Sequence, residues 1–217
     1  MGDARAIASR FVALSGSAHI GFKLGYTSAA MRAQMGISEP NYGILTKAMA
    51  SGTLDWSRLV HPRVEPEIAL VTAKPISGSD DVSPSAIASV HAAFEIVDTR
   101  YTEYRFTLID NTADNSSAAG FVLGPPHPAA LLETKPLSVA FDLGGGEILH
   151  GSSEAALGGP MQALAWLANT LADEGRSIPA GSIILTGGLT SAPALERGAE
   201  LHANFGPLGD IVVSRPA

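Results

Sequence analysis

The run Val64-Glu65-Pro66-Glu67-Ile68-Ala69-Leu70 sets two acidic side chains two positions apart in an otherwise apolar stretch. Successive side chains of a strand point to opposite faces, so Glu65 and Glu67 share one side while Val64, Pro66, Ile68 and Leu70 share the other. Glu95 follows 28 residues after Glu67, inside Ala92-Ala93-Phe94-Glu95-Ile96-Val97, where an ionised carboxylate needs a partner. A divalent cation is one such partner. Three carboxylate oxygens suit Mg²⁺ or Mn²⁺, hard ions that keep coordination positions open for water or substrate. A salt bridge to Arg63, Arg100 or Arg105 is the other, and spacing does not choose between them. A bare Glu-x-Glu, taken alone, more often faces solvent.

Lys23 lies in Ile20-Gly21-Phe22-Lys23-Leu24-Gly25-Tyr26, a run that reads as a buried strand, with Thr27-Ser28 after it. A buried lysine has a lowered pKa or holds a carboxylate, and both serve catalysis, whereas one at a strand end snorkels to water. A phosphate-binding loop does not fit, because Phe22 stands between the glycine and the lysine and Leu24 replaces the required hydroxyl residue. His19, His61, His91, His127, His150 and His202 show no zinc-ligand spacing. Neither a Gly-x-Ser-x-Gly elbow nor a Gly-x-Gly-x-x-Gly fingerprint occurs.

Composition closes further routes. The 217 residues contain no cysteine, which removes disulfides, thiolate metal sites and thiol nucleophiles together. A formal charge of -7 without a basic block argues against nucleic acid as a partner. No window approaches a membrane span and no basic-then-apolar leader opens the chain, so a cytoplasmic location away from membranes is expected. With 46% hydrophobic and only 16% charged residues, some apolar surface is expected in a subunit interface, which suggests a homo-oligomer.

These side chains must be positioned by a strand-rich, turn-rich framework, since 23 glycines and 14 prolines punctuate short apolar runs. Asp3 to Leu14 reads as a helix with Ile7, Phe11 and Leu14 on one face. His19 to Tyr26 reads as a strand, and Thr27-Ser28 caps a helix that carries Met31 and Met35 and ends at Gly36. Ser38 to Gly43 reads as a loop. Val60 to Val71 alternates as a strand, in which Pro66 implies an edge or irregular position. Ser83-Pro84-Ser85 is expected to start a helix through Val90 and Ala93 that leads into a strand at Phe94 to Val97. Further strands are expected at Ser138 to Asp142, Glu147 to His150, Ser182 to Thr186, Glu200 to Phe205 and Asp210 to Ser214, forming antiparallel sheet. A helix from Met161 to about Glu174 turns Met161, Leu164, Leu167 and Leu171 inward.

Taken together, the segments resemble the hydratase/decarboxylase branch of the fumarylacetoacetate hydrolase superfamily. Gly21-Phe22-Lys23-Leu24-Gly25-Tyr26-Thr27-Ser28 resembles the family's Gly-x-Lys-x-Gly-x-Thr-Ser, and Glu39-Pro40-Asn41-Tyr42-Gly43 its substrate loop. His61-Pro62-Arg63-Val64-Glu65-Pro66-Glu67 and Phe94-Glu95-Ile96-Val97-Asp98-Thr99-Arg100 are similar to its two metal-ligand motifs. Ala113-Asp114-Asn115-Ser116-Ser117, Gly120-Phe121-Val122-Leu123-Gly124 and Leu185-Thr186-Gly187-Gly188-Leu189-Thr190 complete an ordered series from about Gly21 to Val213.

The resemblance implies an α+β fold, a mixed β-roll with flanking helices, in which Glu65, Glu67 and Glu95 hold Mg²⁺ or Mn²⁺. It makes Lys23 catalytic, gives Ser28, Asn41 and Asn115 hydrogen bonds to substrate, and sets Thr190 on the pocket wall. It implies a lyase acting on small 2-oxo or 2-hydroxy dienoic acids of aromatic meta-cleavage catabolism, where the ion polarises substrate as a Lewis acid. Many hydratases of the family carry an acidic residue where Asn41 stands, and an amide cannot serve as general acid or base. That favours decarboxylation of 2-oxo-3-hexenedioate, with hydration of 2-hydroxypenta-2,4-dienoate, or a non-catalytic partner subunit in complex with such a hydratase, as alternatives. Only 22 residues precede Lys23, fewer than in typical members, so residues 1–217 are read as a single catalytic domain with a shortened N-terminal helical region.

Overall fold

A computed structural model describes residues 1–133 and 136–217. Among the described residues, ten strands form two sheets. The first contains β1 (His19–Gly25), β2 (Asn41–Thr46), β3 (Arg63–Thr72), β4 (Ile87–Val97), β5 (Ala118–Leu123) and β8 (Ile183–Leu185), in the order β2-β1-β8-β3-β4-β5. The second contains β6 (Ser138–Asp142), β7 (Ile148–Ser152), β9 (Glu200–Asn204) and β10 (Asp210–Ser214), in the order β10-β9-β6-β7. The pairing is antiparallel except between β1 and β8, which makes the larger sheet mixed. Helices α1 (Gly2–Leu14), α2 (Ala29–Met35), α3 (Leu108–Ala113) and α4 (Pro160–Asp173) flank the sheets.

The alternation of β3 builds the main core. Val64, Ile68 and Leu70 are fully buried on one face, together with Phe22 and Leu24 of β1, Phe94 and Ile96 of β4 and Leu164 and Leu167 of α4. The rings of Phe94 and Phe141 meet at 5.3 Å and join the two sheets. On the opposite face of the larger sheet, Leu45, Ala69, Ala93, Phe121 and Leu185 form a smaller apolar cluster. The acidic side chains of β3 and β4 share that side.

Several sequence expectations change. The helix expected from Ser83 to Ala93 is one short turn at Pro84–Ala86 followed by the eleven-residue strand β4. Flanked by β3 and β5 and buried on both faces, that strand needs a continuous apolar run, which helical periodicity imitates. The loop expected over Ser38 to Gly43 already enters β2 at Asn41. The face that α1 turns inward is Ala4, Ala8 and Val12, while Ile7, Phe11 and Leu14 face outward at 57%, 45% and 71% exposure. Small residues there let the helix lie close to the sheet. Pro66 sits in an internal strand, yet its carbonyl meets Leu189 N–H of an irregular segment beyond the end of β8, so no ladder donor is lost. Helix α3 and strand β5 had no counterpart in the sequence pattern.

Phe94→Ala should destabilise the protein by about 3–5 kcal/mol, since the vacated volume lies between two sheets that cannot both close on it. Denaturant unfolding measures this; a loss below 1 kcal/mol would show that Phe94 does not join the sheets.

Candidate metal and substrate site

The β3–β4 register sets Glu65 directly opposite Glu95, with Glu67 opposite Ala93. Like charges facing each other across a strand pair repel, so this register requires a compensating cation. Carboxylate oxygens from Glu65, Glu67 and Glu95 all lie within 4.8 Å of one another. Glu67 and Glu95 are fully buried, and Glu65 is half-buried at a cavity wall.

Lys23 reaches the cluster from β1 because β8 is so short. Strand β8 ends at Leu185, opposite both Lys23 and Ala69, and the chain then turns through Gly187 and Gly188. Gly187 has φ +115° and its N–H donates to Glu67 Oε2 at 2.7 Å; a Cβ on it would lie 2.0 Å from Thr27 Oγ1. A Cβ on Gly188 would lie 3.0 Å from Glu65 Oε2. The two glycines thus form a cradle that admits the carboxylates and little else.

Lys23 Nζ is 3.1 Å from Glu95 Oε1, donates to the Ser116 carbonyl at 2.9 Å, and is only 3% exposed as a residue. The snorkelling alternative therefore fails, and so do the arginine salt bridges. Arg63 donates to the Ala192 carbonyl, Arg100 pairs with Asp114, and Arg105 pairs with Glu103. Burial pulls the Lys23 pKa down, but Glu95, Glu65 and Glu67 outweigh it and hold the ammonium above its ordinary range. The lowered pKa considered from sequence is thereby corrected: this lysine stays charged.

The carboxylates respond in the opposite sense. Burial raises the Glu65 pKa against the opposing pull of Lys23 and Arg63. Burial, then Glu95 and Glu65, push Glu67 well above the usual carboxylate range. Burial brings Glu95 up to about 7, with Lys23 opposing. Glu67 Oε1 and Glu95 Oε2 accept no hydrogen bond, and Glu95 Oε1 has only its ion pair with Lys23, a costly condition for buried oxygens. Fully ionised, three carboxylates against one ammonium leave a double negative charge, which one divalent cation would neutralise with the unpartnered oxygens as its ligands. The donor set is all oxygen, as Mg²⁺ and Mn²⁺ prefer.

A cavity of about 340 Å³ opens beside the cluster, lined by Lys23, Leu24, Tyr26, Ser28, Met31, Arg63, Glu65, Val97, Tyr104, Phe106, Asn111, Ser116, Ser117 and Ser191, among others. Ser28 caps α2, with Oγ accepting from Met31 N–H at 3.4 Å, and its hydroxyl proton is free for the cavity. Tyr26, at φ +55°, is pinned by Arg32, which donates to the Tyr26 and Thr27 carbonyls. Burial and the Glu65 charge hold its phenol protonated.

Three of the residues implied by the family resemblance lie elsewhere. Asn41 is buried behind the wall, its Nδ2 donating to Asn111 Oδ1 and Thr112 Oγ1 and its Oδ1 accepting from Ser116 Oγ. Asn115 clamps β2, accepting from Ile44 N–H and donating to the Ile44 carbonyl. Thr190 donates to the Ser191 carbonyl and is absent from the cavity lining, where Ser191 stands instead. None of the three amide or hydroxyl groups faces substrate space. Asn41 and Asn115 act one step behind it.

What they hold is a run of three residues, Asn115, Ser116 and Ser117, at φ +54°, +55° and +57°. Left-handed backbone at non-glycine residues costs on the order of 1–3 kcal/mol each and persists only where neighbours over-determine it. The Asn115 clamp, the Asn111 Nδ2 bond to Ser117 Oγ and the Asn41 bond to Ser116 supply that constraint. The result aims the Ser116 carbonyl at Lys23. Gly25 permits the packing, because a Cβ there would lie 2.4 Å from Asn41 Oδ1 and 2.7 Å from Ser116 Oγ. Sequence reading passed over Tyr26, Tyr104, Ser116 and Ser117; the polar Asn-Ser-Ser run between α3 and β5 was the available signal.

Similarity to known proteins agrees with this geometry. The profile of the fumarylacetoacetate (FAA) hydrolase C-terminal family matches residues 19–214. A 4-oxalocrotonate decarboxylase of a Pseudomonas species is 39% identical over 207 residues, covering 92% of this chain and 79% of its own length. A 2-keto-4-pentenoate hydratase of Burkholderia vietnamiensis is 36% identical over 207 residues, covering 91% and 78%. The structure of a Pseudomonas putida 4-oxalocrotonate decarboxylase complexed with magnesium and adipate superposes with a TM-score of 0.89 at 33% identity, covering all of this chain and 86% of that one.

Without metal, the folded protein holds a proton on Glu95 between pH 4.5 and about 7 that the unfolded chain has released. A folded state that binds more protons loses stability as pH rises through that window. Thermal unfolding in EDTA should therefore show Tm falling from pH 5 to pH 7.5, with added Mg²⁺ raising Tm most at the upper end. A Tm that climbs over this range in EDTA would contradict the cluster's electrostatics.

Asn41→Asp should lower Tm by several degrees, because a buried charge replaces an amide whose two donated bonds have no substitute. An unchanged Tm would mean that the Asn41 network does not constrain the Ser116 turn.

Proposed function

The chain belongs to the fumarylacetoacetate hydrolase C-terminal family, and from that premise we propose that it is a metal-dependent carbon-carbon lyase that decarboxylates 2-oxo-3-hexenedioate. The observation that carries this reading is the composition of the cavity wall. It holds Lys23 and one edge of the carboxylate cluster, but among the described residues it has no histidine and no carboxylate other than Glu65. Hydration must deliver a proton to carbon and activate a water, which needs a free acid-base group. Decarboxylation needs neither before its bond breaks. This replaces the inference from Asn41, which lies off the wall.

Glu65, Glu67 and Glu95 would hold the divalent cation, with Mg²⁺ or Mn²⁺ as the ion. Bound there, it supplies Lewis-acid charge toward the carboxylate and neighbouring oxygen of a 2-oxo acid. The chain's own residues do the rest. The bond from C5 to the far carboxyl carbon breaks, CO₂ departs, and the electron pair moves through the conjugated system to the C2 oxygen. Charge grows at one end of the substrate while it leaves the other, so fixed donors at the first end lower the barrier.

Lys23 is such a donor. Its ammonium is fixed by Glu95 and the Ser116 carbonyl, and its third N–H is only weakly engaged by Ser116 Oγ at 3.4 Å. Held between Glu95 and the Ser116 carbonyl, Lys23 is placed to orient the substrate and stabilise negative charge. Ser28 and Ser117 add hydroxyls on the same wall, while Leu24, Met31, Val97 and Phe106 provide an apolar surround that excludes water. The substrate is a small molecule, and we read the protein as a cytoplasmic homo-oligomer. No helix among the described residues is long and apolar enough to cross a membrane.

With Mg²⁺, the purified protein should release CO₂ from 2-oxo-3-hexenedioate and form little 4-hydroxy-2-oxopentanoate from 2-hydroxypenta-2,4-dienoate. Hydration without decarboxylation would select the other branch. EDTA should abolish turnover, and Glu67→Gln should weaken Mn²⁺ binding strongly by removing one charged ligand. Lys23→Met should lower turnover by roughly a hundredfold or more, the scale of a lost orienting group. Wild-type rates in that variant would remove Lys23 from the chemistry.

A further inference from the structure

Of the described residues that line the cavity, only Lys23 and Arg63 are cationic. The Lys23 charge is committed to Glu95 and the Ser116 carbonyl. Arg63 is different. It has no ion pair among the described residues, and its one hydrogen bond runs from Nη1 to the Ala192 carbonyl at 3.3 Å. Five N–H donors in a planar fork leave the remainder of the guanidinium open to a planar anion.

The fork is held ready by an aromatic ring. The Arg63 guanidinium carbon lies 4.6 Å from the Tyr104 ring centroid. Tyr104 is itself anchored, its hydroxyl donating to the His61 and Val97 carbonyls at 3.1 and 3.0 Å. Arg63 begins β3, two residues before Glu65, so both side chains leave the strand on the same face. Two residues of strand separate their backbones by about 7 Å, a distance that a six-carbon diacid can span.

We propose that Arg63, stacked on Tyr104, is the specificity-determining residue that receives the far carboxylate of a 2-oxo dicarboxylic acid whose 2-oxo acid end lies against the Glu65, Glu67 and Glu95 cluster. This rests on the reading of the cavity as a 2-oxo acid site and adds to it the reason for choosing a diacid over a monoacid. Arg63 is exposed, so water shares its hold on the carboxylate. Its contribution appears in binding and steering, and the departing carboxyl group is not locked in place.

The probes are 2-oxoadipate and 2-oxohexanoate, saturated 2-oxo acids that share the cluster-facing end and differ in the far carboxylate. Titration calorimetry on the Mg²⁺-loaded protein should show 2-oxoadipate binding roughly tenfold tighter, the scale of one charge-assisted contact at a partly wet site. Arg63→Gln should abolish that preference without lowering 2-oxohexanoate affinity or Mn²⁺ affinity, while Arg63→Lys should keep part of it. In turnover of 2-oxo-3-hexenedioate, the loss should fall on KM with kcat retained.

A preference that survives in Arg63→Gln overturns this assignment and leaves the 2-oxo acid site standing. An equal loss for both probes, or a fall in Mn²⁺ affinity, also overturns it by placing the effect at Glu65. Failure of either probe to bind the wild-type protein would overturn both the site and the assignment.

Discussion

Three carboxylates and one ammonium meet in a largely buried cluster that only Glu65 and Lys23 border on the cavity side, and the molecule is arranged around making that tolerable. The β3–β4 register alone would set Glu65 against Glu95, an arrangement that costs free energy unless positive charge lies between or beside them. Lys23 supplies one charge at 3.1 Å from Glu95, and the remaining double negative charge suits a divalent ion. Removing one member of such a group leaves a buried charge uncompensated, which is why the cluster behaves as a unit.

The framework follows from that requirement. Strand β8 has only three residues, so β1 and β3 are bridged at one end and open at the other, where Lys23 crosses toward Glu95. Gly187 and Gly188 fill the opening with backbone in place of side chain, and one of their amides meets Glu67. On the far side, Asn41 and Asn115 hold the left-handed turn that turns the Ser116 carbonyl toward Lys23. These asparagines support a site they do not line. Backbone strain, a hydrogen-bond network and a short strand thus converge on the placement of one ammonium group.

Electrostatics also sorts the cavity's two cations by role. Lys23 is buried, paired and held charged, which suits stabilisation of charge that develops during a reaction. Arg63 is exposed, stacked and without an ion pair among the described residues, which suits recognition of an anion already present. The distinction comes from burial and partners.

The sequence by itself determined the polarity of the site. Period-two alternation placed Glu65 and Glu67 on one side of a strand, and the apolar run around Glu95 demanded a partner for it, because both follow from covalent geometry and the cost of burying charge. It also located β6, β9, β10 and α4 closely, since each is an amphipathic or turn-bounded segment with a local signature. Only the tertiary structure decided which partner Glu95 takes, because Lys23, Arg63, Arg100 and Arg105 are equivalent until strands are ordered in a sheet. The same holds for β4, whose helix-like beginning is overridden by burial between two neighbours, and for Asn41, Asn115 and Thr190. The family resemblance implied that these three bind substrate. The direction of the two asparagines was set by non-local hydrogen bonds to Asn111, Ser116 and Ile44, contacts that no linear spacing encodes, and Thr190 is turned to the carbonyl of its neighbour Ser191.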